Sequence, residues 1–123
     1  MAMPIFAPAD KATLQAALVN WDSDETAAAT TYGAVASWDV TAIADFSSLL
    51  GNRDNFNEPL AGWDTSGVTT MNSMFHHADG VSGFNQPLAF DTNLVTDMGS
   101  MFNKAFGFNS ALIEPLDRIV VTA

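Results

Sequence analysis

The 123 residues carry fourteen acidic against four basic side chains, a formal net charge of −10, and no cysteine. With so few Lys and Arg to meet phosphates, the composition argues against nucleic-acid binding, and the same sign disfavours anionic membrane surfaces. Disulfides and thiolate metal sites are absent, while 48% apolar and 15% charged residues suit a folded chain of single-domain size.

Residues 1–7 show no basic stretch and no long apolar core, so no signal peptide is visible. They read as a disordered lead into an N-terminal helical cap spanning 1–33. No apolar run approaches the ~20 residues a transmembrane helix needs. From Asp10 to Trp21, behind Pro8, helical spacing puts Leu14, Ala17, Leu18 and Trp21 on one face. The Ala- and Thr-rich stretch Asp24 to Tyr32 predicts a second short helix ending at Gly33.

An internal repeat of about 25 residues follows. One copy runs Phe56-Asn57-Glu58-Pro59-Leu60, then Trp63-Asp64-Thr65-Ser66-Gly67-Val68-Thr69-Thr70-Met71, and closes on Met74-Phe75. The next runs Phe84-Asn85-Gln86-Pro87-Leu88, then Phe90-Asp91, Val95-Thr96-Asp97-Met98 and Met101-Phe102. A more degenerate copy covers Trp38 to Leu50, and a half copy opens at Phe108-Asn109 before leaving the pattern. Apolar columns therefore recur as Trp38/Trp63/Phe90, Ile43/Val68/Val95, Phe46/Met71/Met98 and Leu50/Phe75/Phe102. Units of this size bury an apolar face only by stacking on one another. The expected fold class is α/β: a short solenoid of about three coils over 34–112. The spacing Val68, Met71, Met74, Phe75 predicts about two turns of helix in each coil. The Phe-Asn-x-Pro-Leu stretch predicts an extended segment that could pair as a narrow parallel ladder. Residues 113–123 read as a β-prone tail that folds back over the last coil or pairs with another chain.

The Trp63-Asp64-Thr65-Ser66-Gly67-Val68-Thr69-Thr70-Met71 core and its second copy resemble the mycoplasma-type surface-protein repeat. That is a domain of unknown function related to the BspA-like branch of leucine-rich repeats, and the likeness covers about residues 33–112. It implies a leucine-rich-repeat-like right-handed solenoid, often on bacterial surface proteins, and carries no catalytic residues to transfer. The chain shows no lipobox cysteine and no wall-sorting tail.

The polar columns Asn57/Asn85/Asn109 and Asp39/Asp64/Asp91 read as caps for the backbone of each turn. A calcium site would need several carboxylates converging on one ion. His76-His77-Ala78-Asp79 is the most chemical-looking cluster. Adjacent histidines diverge on either a helix or a strand, and no third ligand is spaced to join them. Nucleophile-elbow and phosphate-loop motifs are absent. Asp22, Asp24 and Glu25 read as a solvated acidic face, and Met71, Met74, Met98 and Met101 as core filling.

These residues point to a non-catalytic protein-interaction or structural module, a subunit or domain of a larger assembly, with no cofactor and no metal. The partner-contact surface expected is His76, His77 and Asp79 in the long connector with Arg118, Val120 and Val121 in the tail. Self-association through that C-terminal edge is a further expectation. The alternative is a surface adhesin recognising glycan, ice or host protein through exposed Thr or aromatic rows.

Overall fold

The computed structural model describes residues 4–53, 55–76 and 84–105. Two helices open it, α1 (Lys11–Ser23) and α2 (Glu25–Tyr32), with a 3-10 turn at Val35–Ser37. Asp10 starts α1 because its carboxylate accepts the Thr13 N–H at 2.8 Å, covering one of the donors left orphaned by the first turn. Asp24 serves both helices. Its own N–H closes α1 on Asn20 O at 2.9 Å, and its side chain caps α2 at Ala27 N. Gly33, at φ 74, ends α2 with its N–H on Ala29 O, a conformation favoured by the missing Cβ. Leu14, Ala17, Leu18 and Trp21 are buried, as the helical face requires.

Beyond Ser37 the expected α/β, leucine-rich-repeat-like right-handed solenoid does not form. Among the described residues there is no strand and no sheet. The pairings Asp45 with Thr70 and Thr70 with Asp97 are isolated parallel bridges. The helix expected over Val68 to Phe75 is missing too. A string of tight turns takes its place: Met74 N–H bonds Met71 O at 3.2 Å, and His76 N–H bonds Ser73 O at 3.1 Å. Ser73 sits between them at φ 57, a left-handed geometry that no α-helix contains. Meanwhile the N–H groups of Met71, Ser73 and Phe75 leave the segment for the carbonyls of Asp97, Gly99 and Met101 at 2.8–2.9 Å. Alternate donors thus close local turns or cross to neighbouring chain. That pairs the backbone without building either an i to i−4 helix or a continuous ladder. The solenoid and leucine-rich-repeat descriptions of this chain fall with those elements.

What the periodicity does produce is three passes of chain in register, residues 38–53, 63–76 and 90–105. Phe46, Ser48 and Leu50 N–H bond Thr70, Asn72 and Met74 carbonyls at 2.9 Å, and the second pass repeats this against the third. Ser48 and Ser100 take the same left-handed turn as Ser73, at φ 55 and 54. Aromatic columns stack between passes: Trp38 on Trp63 at 6.3 Å, Phe56 on Phe84 at 6.3 Å, Phe75 on Phe102 at 5.4 Å. Each indole N–H is satisfied. Trp63 donates to Val35 O at 2.8 Å, Trp38 to Tyr32 O at 3.1 Å, and Trp21 to Glu58 Oε1 at 3.1 Å. Met71, Met74 and Met101 lie in the core.

The first pass is covered by the N-terminal segment. Lys11 Nζ reaches Asp45 Oδ1 at 3.3 Å and Ser47 Oγ at 2.9 Å, and Phe6 O accepts the Asp39 N–H at 2.9 Å. The third pass is more open. Val95 and Met98 are half-buried, whereas Ile43, Phe46, Val68 and Met71 are at most 3% exposed.

Candidate functional site

The recurring acidic column is built from local turns. Asp39 Oδ1 accepts from both the N–H and the hydroxyl of Thr41, at 3.0 and 2.6 Å. Asp64 does the same with Ser66 at 3.0 and 2.7 Å, and Asp91 accepts the Asn93 N–H at 2.9 Å. Each carboxylate caps the chain two residues on, as the Asp column implies. The Thr41 hydroxyl holds Asp39 below the ordinary carboxylate value, with the Thr41 N–H adding to it; the Ser66 hydroxyl does so for Asp64. A second capped column, Asp45, Thr70 and Asp97, went unread in the sequence. Asp45 takes the Ser47 N–H at 2.8 Å, Thr70 Oγ1 the Asn72 N–H at 3.3 Å, and Asp97 the Gly99 N–H at 2.9 Å. Repetition of a carboxylate or hydroxyl two residues before the next polar group was its signal.

Asn57 works differently from the role expected of its column. Asn57 Oδ1 accepts the Asn85 N–H at 2.7 Å and lies 3.2 Å from Gln86 Nε2, so it ties one pass to the next rather than capping its own turn. Asn109 lies outside the described residues.

Acidic residues also gather where α1 and α2 meet the segment 55–58 that leads into the second pass. Asp22 Oδ1 accepts the Asn55 N–H at 2.9 Å, and Glu58 accepts from the Trp21 indole. Burial raises Glu58 above the ordinary glutamate value. A hydrogen bond with the Glu25 carboxyl pushes the same way, and the Trp21 N–H pulls against both. Within the run Asp22, Asp24, Glu25, the last two are exposed as expected, while Asp22 is half-buried and bonded to Asn55. A cleft of about 270 Å³ lies between α1 and α2, lined by Asn20, Ser23, Asp24, Ala27, Thr31 and Tyr32. Its polar groups already bond within the chain: Asn20 Nδ2 to Tyr32 OH at 3.0 Å, Thr31 Oγ1 to Ala27 O at 3.1 Å.

Of the residues expected to contact a partner, only His76 is described. It is half-buried; its carbonyl accepts the Asn52 N–H at 3.0 Å, and its Nδ1 is buried with no hydrogen-bond partner. His77, Asp79, Arg118, Val120 and Val121 lie outside the described residues. Among the described residues no three His, Asp or Glu side chains are grouped to hold a metal ion, and no helix is long and apolar enough to cross a membrane.

No curated protein and no solved structure matches the chain. A family model does, DUF285, described as a Mycoplasma protein of unknown function, over residues 23–116. The match does not show the BspA-like, leucine-rich-repeat relationship that the sequence resemblance implied. It spans more than half of the chain, with the Trp-Asp columns and their turn caps inside it, and the protein therefore belongs to the DUF285 family.

Proposed function

We propose that the protein is a non-catalytic interaction module, working as a domain or subunit of a larger assembly. The observation that carries this reading is how the repeated polar side chains are used. Asp39 and Asp64 each spend one oxygen on the N–H and hydroxyl two residues ahead. A carboxylate so held is a poor candidate for a general base, since its proton affinity is lowered. As a contact surface it is well suited, because side-chain freedom is lost before a partner arrives. Thr69 and Thr96 add an exposed pair beside this row, with hydroxyls on Ala44 O and Thr69 O at 3.2 and 3.3 Å.

The adhesin reading keeps that Thr pair as its support. It loses the aromatic row, because Trp38, Trp63 and Phe90 are buried at 1–4% exposure, where sugar rings cannot stack on them. The test is a capture experiment on the source organism's proteins with the wild type and a Thr69→Lys/Thr96→Lys variant. A protein held by the wild type and released by the variant supports the module. Equal capture by both moves the contact off the Thr pair, whereas a wild type that holds no protein, or binds a glycan array without any protein partner, overturns the module.

A further inference from the structure

The three passes close equivalent turns: Ile43 N–H on Val40 O, Val68 N–H on Thr65 O and Val95 N–H on Thr92 O, at 3.0, 3.0 and 3.1 Å. The residue before each donor stands exposed at the tip of its turn, and it changes from Ala42 to Gly67 to Leu94. Gly67 shows how little the turn asks of this position, since a Cβ there would meet Thr41 O at 3.7 Å, an ordinary contact. The turn forms with no side chain at all, so a leucine 56% exposed at its tip is not something the fold requires.

A lone exposed leucine is ordinary on a protein surface. Leu94 is not alone. Val95 and Met98 are half-buried, whereas their counterparts Ile43, Val68, Phe46 and Met71 are at most 3% exposed, so three apolar side chains reach solvent over residues 94–98. Carboxylates bracket the stretch, with Asp91 before Leu94 and Asp97 after it. The Gly99 N–H and then the Asn72 amide hold Asp97 below the ordinary carboxylate value, so it stays charged. Lys104, the one cation of residues 90–105, comes only after the Met98–Met101 turn. An apolar anchor rimmed by negative charge is complementary to a segment that carries cations on either side of an apolar residue. A second copy of the chain is the poorer occupant, since two chains of net charge −10 repel.

We propose that Leu94, with Val95 and Met98, anchors a docking surface for a basic partner segment, which sets an aliphatic or aromatic side chain on Leu94 and Lys or Arg against Asp91 and Asp97. The inference rests on the interaction role proposed above and gives it a partner class. Burial of the anchor supplies the affinity, and the flanking charges select the partner's sign.

A randomised peptide library panned against the full chain tests this, with Leu94→Ala as the comparison. That variant keeps the net charge and puts at the turn tip the residue type that Ala42 supplies in the first pass, so the fold and the urea midpoint should be unchanged. The wild type should enrich peptides in which Lys or Arg flanks an aliphatic or aromatic residue, and an enriched peptide should bind Leu94→Ala at least about tenfold more weakly. Enrichment of neutral or acidic peptides, no enrichment, or equal affinity for both proteins overturns the proposal. So does a lowered urea midpoint for Leu94→Ala, which would show Leu94 packed within its own chain, or a wild-type dimer that Leu94→Ala disperses, which would assign the surface to a second copy. The capture experiment keeps the two readings apart. A partner held equally by the wild type and Leu94→Ala overturns this inference and leaves the module standing, whereas the absence of any partner overturns the module.

Discussion

Trp63→Ala removes the ring on which the middle of the core is assembled. Trp63 is 4% exposed, stacks on Trp38 at 6.3 Å, meets Phe46 edge-on at 5.9 Å and donates to Val35 O at 2.8 Å. Emptying a buried aromatic site of this size costs about 3–5 kcal/mol. The Val35 carbonyl, left without its donor, pushes the cost towards the upper end of that range. Against a total stability of about 5–15 kcal/mol for a domain, this is a large share. Trp63→Phe separates the two contributions. Phe90 already fills the same column in the third pass, so a phenyl ring keeps most of the stacking there while the hydrogen bond and part of the ring volume are lost, about 1–3 kcal/mol. Urea unfolding followed by fluorescence or circular dichroism should show the Ala variant much the weaker, with unchanged m value. A loss below about 1 kcal/mol for Trp63→Ala, or equal losses for both variants, would refute the inward column.

The pH dependence has two limbs. Glu58 binds its proton more readily folded than unfolded, so stability falls as pH rises from the ordinary 4.5 through its raised value; Glu58→Gln should flatten this limb in a series of melting temperatures. Asp39, Asp64 and Asp97 are held low, so their contribution is lost as pH falls below the ordinary 3.8, and the Gln variant should leave that limb unchanged. Ser73→Val should lower stability by about 1–3 kcal/mol, because a β-branched side chain is strained at φ 57, whereas Ser73→Gly should lose less than about 1 kcal/mol in urea. Lys11→Met should cost less than about 1 kcal/mol despite its ion pair with Asp45, since both side chains are partly exposed, and the effect should shrink further in salt.

Much of the core was legible, because like residues recur in one column at a fixed period only when successive passes of chain stack on one another. The stacked pairs Trp38/Trp63, Phe56/Phe84 and Phe75/Phe102 fell in the columns the sequence defines. The element type was not legible. Val68, Met71, Met74 and Phe75 match a helical period, and nothing in a serine announces the left-handed backbone that Ser48, Ser73 and Ser100 adopt. A glycine there would have. The recurrence of Ser in one column was the available sign, since a helix interior gives no reason to repeat it. The acidic junction was hidden by its separation in the chain. Glu58 and Glu25 stand 33 residues apart, and only the packing of α1 and α2 brings their carboxyls together.

The alternation of turn-closing and crossing N–H groups also decides where binding can occur. Inside the stack each crossing donor meets a carbonyl of the next pass, as Ser48 meets Asn72 and Ser73 meets Gly99, so the faces offer side chains and no backbone. On the third pass Thr96 O and Met98 N–H have no backbone partner among the described residues. A partner that reads the Asp39/Asp64 row should therefore be sensitive to side-chain changes there. A partner that pairs with main chain on the third pass should ignore Thr69→Lys. Leu94→Asp separates the two, because Leu94 is exposed on the third pass and its replacement leaves Asp39, Asp64 and Thr69 untouched. Capture that survives Leu94→Asp but fails with Thr69→Lys places the contact on the face, and the reverse result places it on the edge.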